Sequence, residues 1–253
     1  MTSRTLRAAF GGIAVAALAS AASASSITPI IGYSPTQALT GDYAVARNAF
    51  LATGPTGVES FEDETIGAFP GSLDFVGLPI SVGADFTASS LDAADWREVP
   101  RVEDTDPEGQ GTRTPTDGEQ FLYLGVNSGD NPTLTLDFDP NEVVRGFGFS
   151  ISDLGDFGAS ITIRTTDDVV HELDIAPGAN GLPSSFANGS RIWASFTTDV
   201  AIDLLEIELF GNGNDNFSFD EFTVSLVPVP PAAAMAGLGL AAVAWRRRKM
   251  ASA

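Results

Sequence analysis

The chain has 253 residues and a formal net charge of −20, with no cysteine and a single histidine. These counts exclude disulfide bonds, thiol catalysis, cysteine-based zinc sites and any site that needs several histidines. All 33 acidic residues lie between Asp42 and Glu221, and the seven arginines among them leave this central segment a net charge of −26. Such a segment repels phosphates, which excludes nucleic acid as a partner, whereas solubility outside the cell and divalent-cation binding remain open.

Residues 1–24 have the pattern of a secretory signal peptide. Two arginines precede the apolar run Ala8–Ala19, and Ala22 and Ala24 form a small-x-small cleavage motif. The motif predicts a mature chain that begins at Ser25 and is exported by Sec-type machinery. An uncleaved membrane anchor is disfavoured because the apolar run is short and ends in small residues.

The segment 25–57 has mixed character. Apolar residues between Pro35 and Phe50 recur at helical spacing, which predicts one helix over Thr40–Ala52, ended by the turn Gly54–Gly57. Two arrangements stay open for this segment. It is either a helical cap on one end of the domain that follows or a loosely ordered arm.

From residue 58 to residue 226 the pattern changes to short strands. Apolar and polar residues alternate, and turns rich in Gly, Asn, Asp or Pro separate the runs. The stretch 97–120 is polar and aperiodic, which predicts a long surface loop or a disordered excursion, and the absence of a fixed-period repeat argues against a propeller or solenoid. We therefore predict one acidic all-β domain, an antiparallel β-sandwich for which a jelly roll is the favoured form. Its predicted strands are Val58–Glu62, Ile80–Ser89, Phe121–Val126, Thr133–Phe138, Arg145–Ser152, Ser160–Thr165, Val169–Ile175, Arg191–Thr197, Ala201–Phe210 and Phe217–Val227.

Carboxylates are the site chemistry that the sequence offers. Two of them can act as acid and base in a glycosidase, but acidic residues are so abundant here that a pair is not diagnostic. No Gly-x-Ser-x-Gly hydrolase motif occurs, and we expect no catalytic activity. Carboxylate oxygens are also ligands for Ca²⁺. Four clusters are candidates: Glu59, Glu62, Asp63 and Glu64; Glu103–Glu108; Asp137, Asp139, Asp153 and Asp156; and Asp215, Asp220 and Glu221.

The first and last predicted strands, Val58–Glu62 and Phe217–Val224, resemble the corresponding strands of carbohydrate-binding-module-like jelly rolls. The resemblance implies that the two strands are neighbours and that an early Glu and a late Asp share a structural Ca²⁺, here Glu62 and Asp220. The strand alternation is interrupted at Asp220-Glu221, which indicates a bulge or a ligand position. Solvated acids at the strand ends are the alternative interpretation.

Tyrosines and tryptophans are the other candidate binding residues, because their rings can stack on sugars. Trp193 lies in the middle of a predicted strand, which favours core packing. Trp96 lies in a polar, loop-like context and is the better candidate for an exposed contact. His171 is predicted to lie at the surface. The remaining candidates are Tyr33, Tyr43 and Tyr123.

The C-terminal residues 227–253 combine three features. A Val-Pro-x-Pro motif comes first, an uncharged segment from Ala232 to Trp245 follows, and four consecutive cations come next. The apolar segment is shorter than the roughly 20 residues that a spanning helix needs, and the cations are expected at the cytoplasmic face of a membrane. The motif residues are Val227, Pro228, Val229, Pro230, Pro231 and Ala232, and the cations are Arg246, Arg247, Arg248 and Lys249.

This order of proline motif, short apolar helix and arginine cluster resembles the PEP-CTERM family of exosortase-sorted bacterial surface proteins, in its VPLPA-type variant. Val227, Pro228 and Pro230 match the motif, whereas Val229 and Pro231 depart from it. The resemblance implies a transient anchor in the inner membrane and cleavage near the prolines by an exosortase-like enzyme. The product is then released or attached at the surface of a Gram-negative, exopolysaccharide-producing bacterium. An ordinary single-pass anchor is the alternative.

Three function classes stay open for the domain between these signals. The main expectation is a structural or adhesive component of an exopolysaccharide or biofilm matrix. The alternative is a carbohydrate-binding-module-like protein with a structural Ca²⁺, and a glycan-active enzyme is the least favoured. Polysaccharide is the expected partner in each case.

Overall fold

The structure is a computed structural model that describes the chain in eight stretches. Predictions for the signal peptide 1–24, for Trp96 and for the tail 227–253 lie outside these stretches. The described residues are 25–87, 101–104, 115, 118–126, 131–139, 143–153, 158–210 and 215–226.

Thirteen strands form two sheets in the described part of the chain. Sheet A consists of β1 (Ile27–Ser34), β2 (Thr56–Glu59), β5 (Arg101–Glu103), β6 (Phe121–Val126), β8 (Gly146–Ser152), β11 (Arg191–Thr198) and β13 (Asp215–Ser225). Sheet B consists of β3 (Ser72–Phe75), β4 (Ile80–Thr87), β7 (Thr133–Asp137), β9 (Gly158–Thr165), β10 (Val170–Ile175) and β12 (Ile202–Phe210). One helix, α1, spans Gly41–Leu51, and a short 3₁₀ turn spans Ala179–Gly181.

The strand pairing confirms the predicted all-β, antiparallel sandwich. Sheet A has the order β1-β11-β8-β13-β6-β5, with β2 also paired to β13, and sheet B has the order β10-β9-β12-β7-β4-β3. Every pairing between these strands is antiparallel. From β6 to β9, and again from β11 to β13, consecutive strands alternate between the sheets, which is the connectivity of a jelly roll. Each of the ten predicted strands overlaps an observed one.

Apolar residues of the two sheets meet in one core. Phe147, Phe149 and Ile151 alternate along β8 and are fully buried in it, as the two-residue period of a strand requires. The ring centroid of Phe149 lies 5.3 Å from that of Phe219 and 5.8 Å from that of Phe222, both on β13. Each such pair contributes roughly 0.5–1.5 kcal/mol beyond the burial of its surface. These aromatic contacts hold β8 and β13 in the middle of sheet A.

The N-terminal segment belongs to the sandwich. β1 pairs with β11 along eight residues. The helix α1 packs on the outer face of sheet A, where Tyr43, Ala46 and Phe50 form a second, smaller core with Trp193. The observed helix lies within the predicted range Thr40–Ala52. Of the two arrangements left open by the sequence, the structure has the docked one.

The strand β1 is not predicted from the sequence, because it contains two weak strand formers. Pro29 cannot donate a ladder hydrogen bond, and it is tolerated here because β1 is the edge strand of sheet A. Gly32 lies directly under the helix, where an added Cβ would be 2.1 Å from the carbonyl oxygen of Asp42 and 2.7 Å from Cβ of Ala46. The helix therefore rests on bare backbone, and glycine is required for this contact.

The stretch 97–120 departs from the predicted surface loop at one point. Residues Arg101–Glu103 form β5 and pair with Phe121–Tyr123 of β6. The three-residue strand is too short for alternation to reveal it. β3, with four residues, is also missed. In the described residues no helix is long and apolar enough to cross a membrane.

Candidate functional site

Three carboxylates converge at the end of β2 and in the turn that follows. The side chains of Glu59, Asp63 and Glu64 each place an oxygen within 4.8 Å of the others. Glu59 is 2% exposed, and its two oxygens accept the backbone N–H groups of Phe61 at 2.6 Å and Asp74 at 3.0 Å. Backbone donors from the turn after β2 and from β3 therefore fix the buried carboxylate, and Asp63 and Glu64 approach it from the turn.

The electrostatics of this acidic cluster are unfavourable for three negative charges. Burial raises the pKa of Glu59 to about 7, the two backbone hydrogen bonds oppose this rise, and repulsion from Asp63 and Glu64 adds to it. The pKa of Glu64 is raised by burial and then by Asp63 and Asp74. Within the described residues, no arginine is among the charges that shift these two pKa values. The cluster therefore lacks a protein cation to offset its charge there.

The acidic cluster fits the requirements of Ca²⁺. This ion binds six to eight oxygens at about 2.3–2.6 Å, so two ligands on opposite sides of it lie up to roughly 5 Å apart. The mutual separation of at most 4.8 Å places all three carboxylates within one such sphere. Depending on whether they bind through one or two oxygens, three carboxylates supply about three to six ligands. The remaining positions are open to carbonyl groups, water or ligand hydroxyls.

A groove of about 290 Å³ adjoins the acidic cluster and shares Asp63 with it. Its lining combines the acidic residues Asp63 and Asp74 with apolar residues that include Val76, Leu78 and Pro79. Val76 is 74% exposed, so an apolar surface is presented to solvent beside the acids. The volume lies just under the roughly 300 Å³ at which small-molecule sites begin, a size suited to one small polar ring.

The two residues predicted as calcium ligands do not belong to the converging group. Glu62 is exposed and points to another segment, where its Oε1 accepts the N–H groups of Glu119 and Gln120 at 2.6 and 2.7 Å. Asp220 is buried on β13, and its Oδ1 accepts the N–H of Glu221 at 2.6 Å. β2 and β13 are neighbours, as the resemblance implies. The assignment of Ca²⁺ to Glu62 and Asp220 stays a prediction.

The strand interruption predicted at Asp220-Glu221 is confirmed as a bulge. The register between β13 and β8 shifts between Asp220 and Thr223, and Glu221 has φ of 54°. The bulge leaves Asp220 and Glu221 both buried. Glu221 forms an ion pair with Arg47 of α1. Burial lowers the pKa of Arg191, and attraction to acids that include Asp220 and Glu221 opposes this change. The bulge therefore serves to fasten the helix to sheet A.

The aromatic candidates do not form an exposed platform in the described residues. Trp193, Tyr43 and Tyr123 have no exposed surface, and Tyr33 is half-buried, with its ring stacked on Phe186 at 5.8 Å. Core packing is confirmed for Trp193, although its core is the small one under α1. Sugar stacking by these four residues therefore finds no support in their positions.

The other acidic clusters are dispersed where the structure describes them, and their predicted members at 105–108 and Asp156 lie outside the described residues. Asp137 and Asp139 are exposed at the end of β7 in sheet B, whereas Asp153 is buried beyond β8 in sheet A, where it accepts the N–H of Gly189 at 2.7 Å. Glu103 forms an ion pair with Arg101 of the same strand. Each of these acids has a local structural role or lies in solvent.

Comparison with known proteins finds only distant similarity to solved structures. No protein-family profile matches the sequence, and no curated protein matches it. The CBM22-1 xylan-binding domain from Paenibacillus barcinonensis is 14% identical, with a TM-score of 0.34, over 68% of this chain and 94% of that chain. The cleaved K2 adhesin domain of Lys-gingipain is 18% identical, with a TM-score of 0.37, over 67% and 97%. TmCBM61, solved with β-1,4-galactotriose, is 12% identical, with a TM-score of 0.33, over 55% and 86%.

Proposed function

We propose that this chain is an exported, non-catalytic module of the bacterial cell surface that binds Ca²⁺ at the acidic cluster and carbohydrate in the adjoining groove. The observation that carries the proposal is the convergence of Glu59, Asp63 and Glu64 within one coordination sphere at the rim of that groove. Oxygen-only ligands favour a hard cation such as Ca²⁺. A bound ion would offset the negative charge that burial, and then repulsion from Asp63 and Glu64, disfavours at Glu59.

Thermal unfolding of the mature chain in millimolar Ca²⁺ and in chelator tests the metal site. An ion present at 100 times its Kd adds about 2.7 kcal/mol of stability, which raises Tm by roughly 5–10 °C in a domain of this size. Asp63→Asn and Glu64→Gln should abolish the increase. Glu62→Gln is the matched control, because Glu62 is adjacent and acidic but lies outside the cluster.

The same experiment separates the two assignments of the ion. If Ca²⁺ still raises Tm in Glu62→Gln but not in Asp63→Asn, the ion binds at the acidic cluster. If Ca²⁺ raises Tm in Asp63→Asn but not in Glu62→Gln or Asp220→Asn, the ligands are instead the two predicted from the sequence. Identical melting curves in Ca²⁺ and chelator would refute calcium binding at both.

The groove fits the two-sided chemistry of a sugar, which has hydroxyl edges and an apolar ring face. Asp63 and Asp74 can accept from hydroxyl groups, and Val76 and Leu78 supply the apolar contact. Retention on immobilised exopolysaccharide should fall with Val76→Lys. It should not fall with Val170→Lys, which alters an exposed valine of β10 outside the groove. Release of reducing ends by the wild-type chain would favour the glycan-active enzyme instead.

We further propose that the tail 227–253 is an exosortase-type sorting signal and that the mature domain is displayed on or released from the cell surface. The order of proline motif, short apolar segment and cation cluster supports this. The intact mass of the protein from its own cells is the test. A C-terminus that still carries Arg246–Lys249 would refute processing and leave an ordinary anchor.

A further inference from the structure

The first residue of the predicted mature chain is held inside the fold. Ser25 is 6% exposed, and its Oγ lies 3.0 Å from Oγ1 of Thr165 and 2.9 Å from Nε2 of His171. These partners belong to β9 and β10 of sheet B, whereas Ser25 leads into β1 of sheet A. The predicted N-terminal residue therefore joins the two sheets at their edge.

The hydrogen atoms of this contact have one consistent arrangement. Oγ1 of Thr165 lies 2.5 Å from Oδ1 of Asp167, and an ionised carboxylate only accepts, so the threonine donates to it. Thr165 then accepts from the Ser25 hydroxyl, and Ser25 accepts from Nε2–H of His171. The hydrogen bond from Thr165 lowers the pKa of Asp167. The chain of hydrogen bonds from His171 through Ser25 and Thr165 thus ends at the carboxylate of Asp167.

A second carboxylate lies beside the same backbone. Oδ1 of Asp199 accepts the backbone N–H of Ser26 at 2.7 Å, and Arg145 donates to the carbonyl of Asp199 at 2.7 Å. Ser25 therefore has its hydroxyl on Thr165 and His171, and the amide that follows it donates to Asp199. Once a leader has been removed, the backbone nitrogen of Ser25 is an α-amino group with an unperturbed pKa of about 7.7–8.0, and it is a cation at pH 6.

We propose that Thr165, Asp167, His171 and Asp199 form a capture site for the processed N-terminus, so that cleavage after Ala24 stabilises the folded domain. Before cleavage the nitrogen of Ser25 is a neutral amide and contributes no charge. After cleavage it is an ammonium group on a residue whose hydroxyl contacts Thr165, the donor to Asp167, and whose neighbouring amide donates to Asp199. A chain that starts one residue later lacks the hydroxyl that joins the sheets. This inference rests on the proposed export, and it makes removal of the leader a step that favours folding.

The test compares detergent-solubilised chains that all end at Ala253. One starts with a free Ser25, the second is the same chain acetylated on its α-amino group, and the third starts at Ser26. At pH 6 we expect Tm to be lower by about 2 °C in the acetylated chain, because a partly exposed ion pair contributes modestly. The chain starting at Ser26 loses the hydroxyl contacts that join the sheets but places its own amino group on Asp199, so its Tm should lie below that of the free Ser25 chain.

The pH dependence gives the sign of the effect. Carboxylates raise the pKa of a captured amine, so its contribution is complete below the unfolded pKa of about 8 and is lost as pH rises through the folded value. The difference in Tm between free and acetylated chains should therefore vanish near pH 10. His171 is the single histidine, so its ring proton resonances report on the site without ambiguity and should differ between the two chains at pH 6.

Two controls make the inference refutable. Asp167→Asn should shrink the difference in Tm between free and acetylated chains at pH 6, and the variant that also carries Asp199→Asn should remove it. Equal Tm values and equal His171 resonances in the free and acetylated chains would overturn the capture site. Mass spectrometry of the protein from its own cells tests export separately, because a leader still attached would overturn cleavage at Ser25 and with it the role of capture in the cell.

Discussion

Gly32→Ala should lift the helix from sheet A. The added Cβ would lie 2.1 Å from the carbonyl oxygen of Asp42 and 2.7 Å from Cβ of Ala46. Relief of the first contact requires the backbone of α1 to move by on the order of 1 Å, since non-bonded carbon contacts are optimal at about 3.5–4.0 Å. The side chain cannot rotate away, because a methyl group on Cα has no alternative position.

The expected loss in the free energy of unfolding depends on how far this movement of α1 strains or exposes the apolar residues beneath the helix. Overpacking typically costs about 1–3 kcal/mol. Full release of α1 would expose Tyr43, Phe50 and Trp193, and a large buried apolar side chain contributes about 1.5–3 kcal/mol. We therefore expect Gly32→Ala to destabilise the domain by about 2–3 kcal/mol, which lowers Tm by roughly 5–10 °C.

Urea unfolding followed by circular dichroism gives the free energy of unfolding, with Gly71→Ala as the matched control. An added Cβ at Gly71 meets nothing within 4 Å, so this variant should stay within about 0.5 kcal/mol of wild type. Proteolysis in the connection between α1 and β2 should be faster in Gly32→Ala alone. Equal stability of the two variants would refute the close packing of helix on strand.

Three further perturbations have expected outcomes. Arg47→Met should destabilise the domain by about 2 kcal/mol, because Glu221, at 1% exposure, then lacks its ion-pair partner. Adding Glu221→Gln should recover part of this loss, as measured by urea titration. No recovery would contradict the pairing. In the folded domain the pKa of Glu59 is about 7, above its ordinary value of 4.5. The folded state therefore binds more protons than the unfolded state between these two pH values. In chelator, the free energy of unfolding should fall by about 3 kcal/mol as pH rises from 4.5 to 7. This decline should be smaller in the Glu59→Gln variant, and smaller in the wild-type chain when Ca²⁺ is present. An equal decline in these two cases and in the wild-type chain with chelator would contradict the raised pKa of Glu59. Phe149→Ala should cost about 3–5 kcal/mol in the same titrations, and a loss below 1 kcal/mol would contradict its place in the core.

Alternation and turn chemistry are enough to predict most of this sandwich, because they are local. The strands β6 to β13 each carry a run of alternating apolar residues bounded by Gly, Asn, Asp or Pro. β1 lacks this signal because Pro29 and Gly32 interrupt it, and β3 and β5 are too short to show it. Pairing is not local, since β1 joins β11 more than 150 residues away along the chain.

The candidate site likewise has features that local sequence predicts and features that depend on contacts between distant residues. The sequence groups Glu59, Asp63 and Glu64 with Glu62, and the resemblance to carbohydrate-binding-module-like jelly rolls favours Glu62 as the ligand. Phe61 has φ of 63° and is fully buried, so the chain turns sharply there. Glu59 lies before this turn and Glu62 after it. The contact of Ser25 with His171 spans 146 residues, and no local pattern reports it.

The position of β13 has a mechanical consequence. This strand runs for eleven residues through the middle of sheet A, with β8 on one side and β6 and β2 on the other. It ends at Ser225, so a tether fixed to the residues that follow pulls the domain along the strand axis. Antiparallel hydrogen bonds lie perpendicular to that axis, and tension is therefore shared by the bonds to three neighbours at once. A domain held by such a strand resists shear in flowing liquid far better than one held by the edge strand β1.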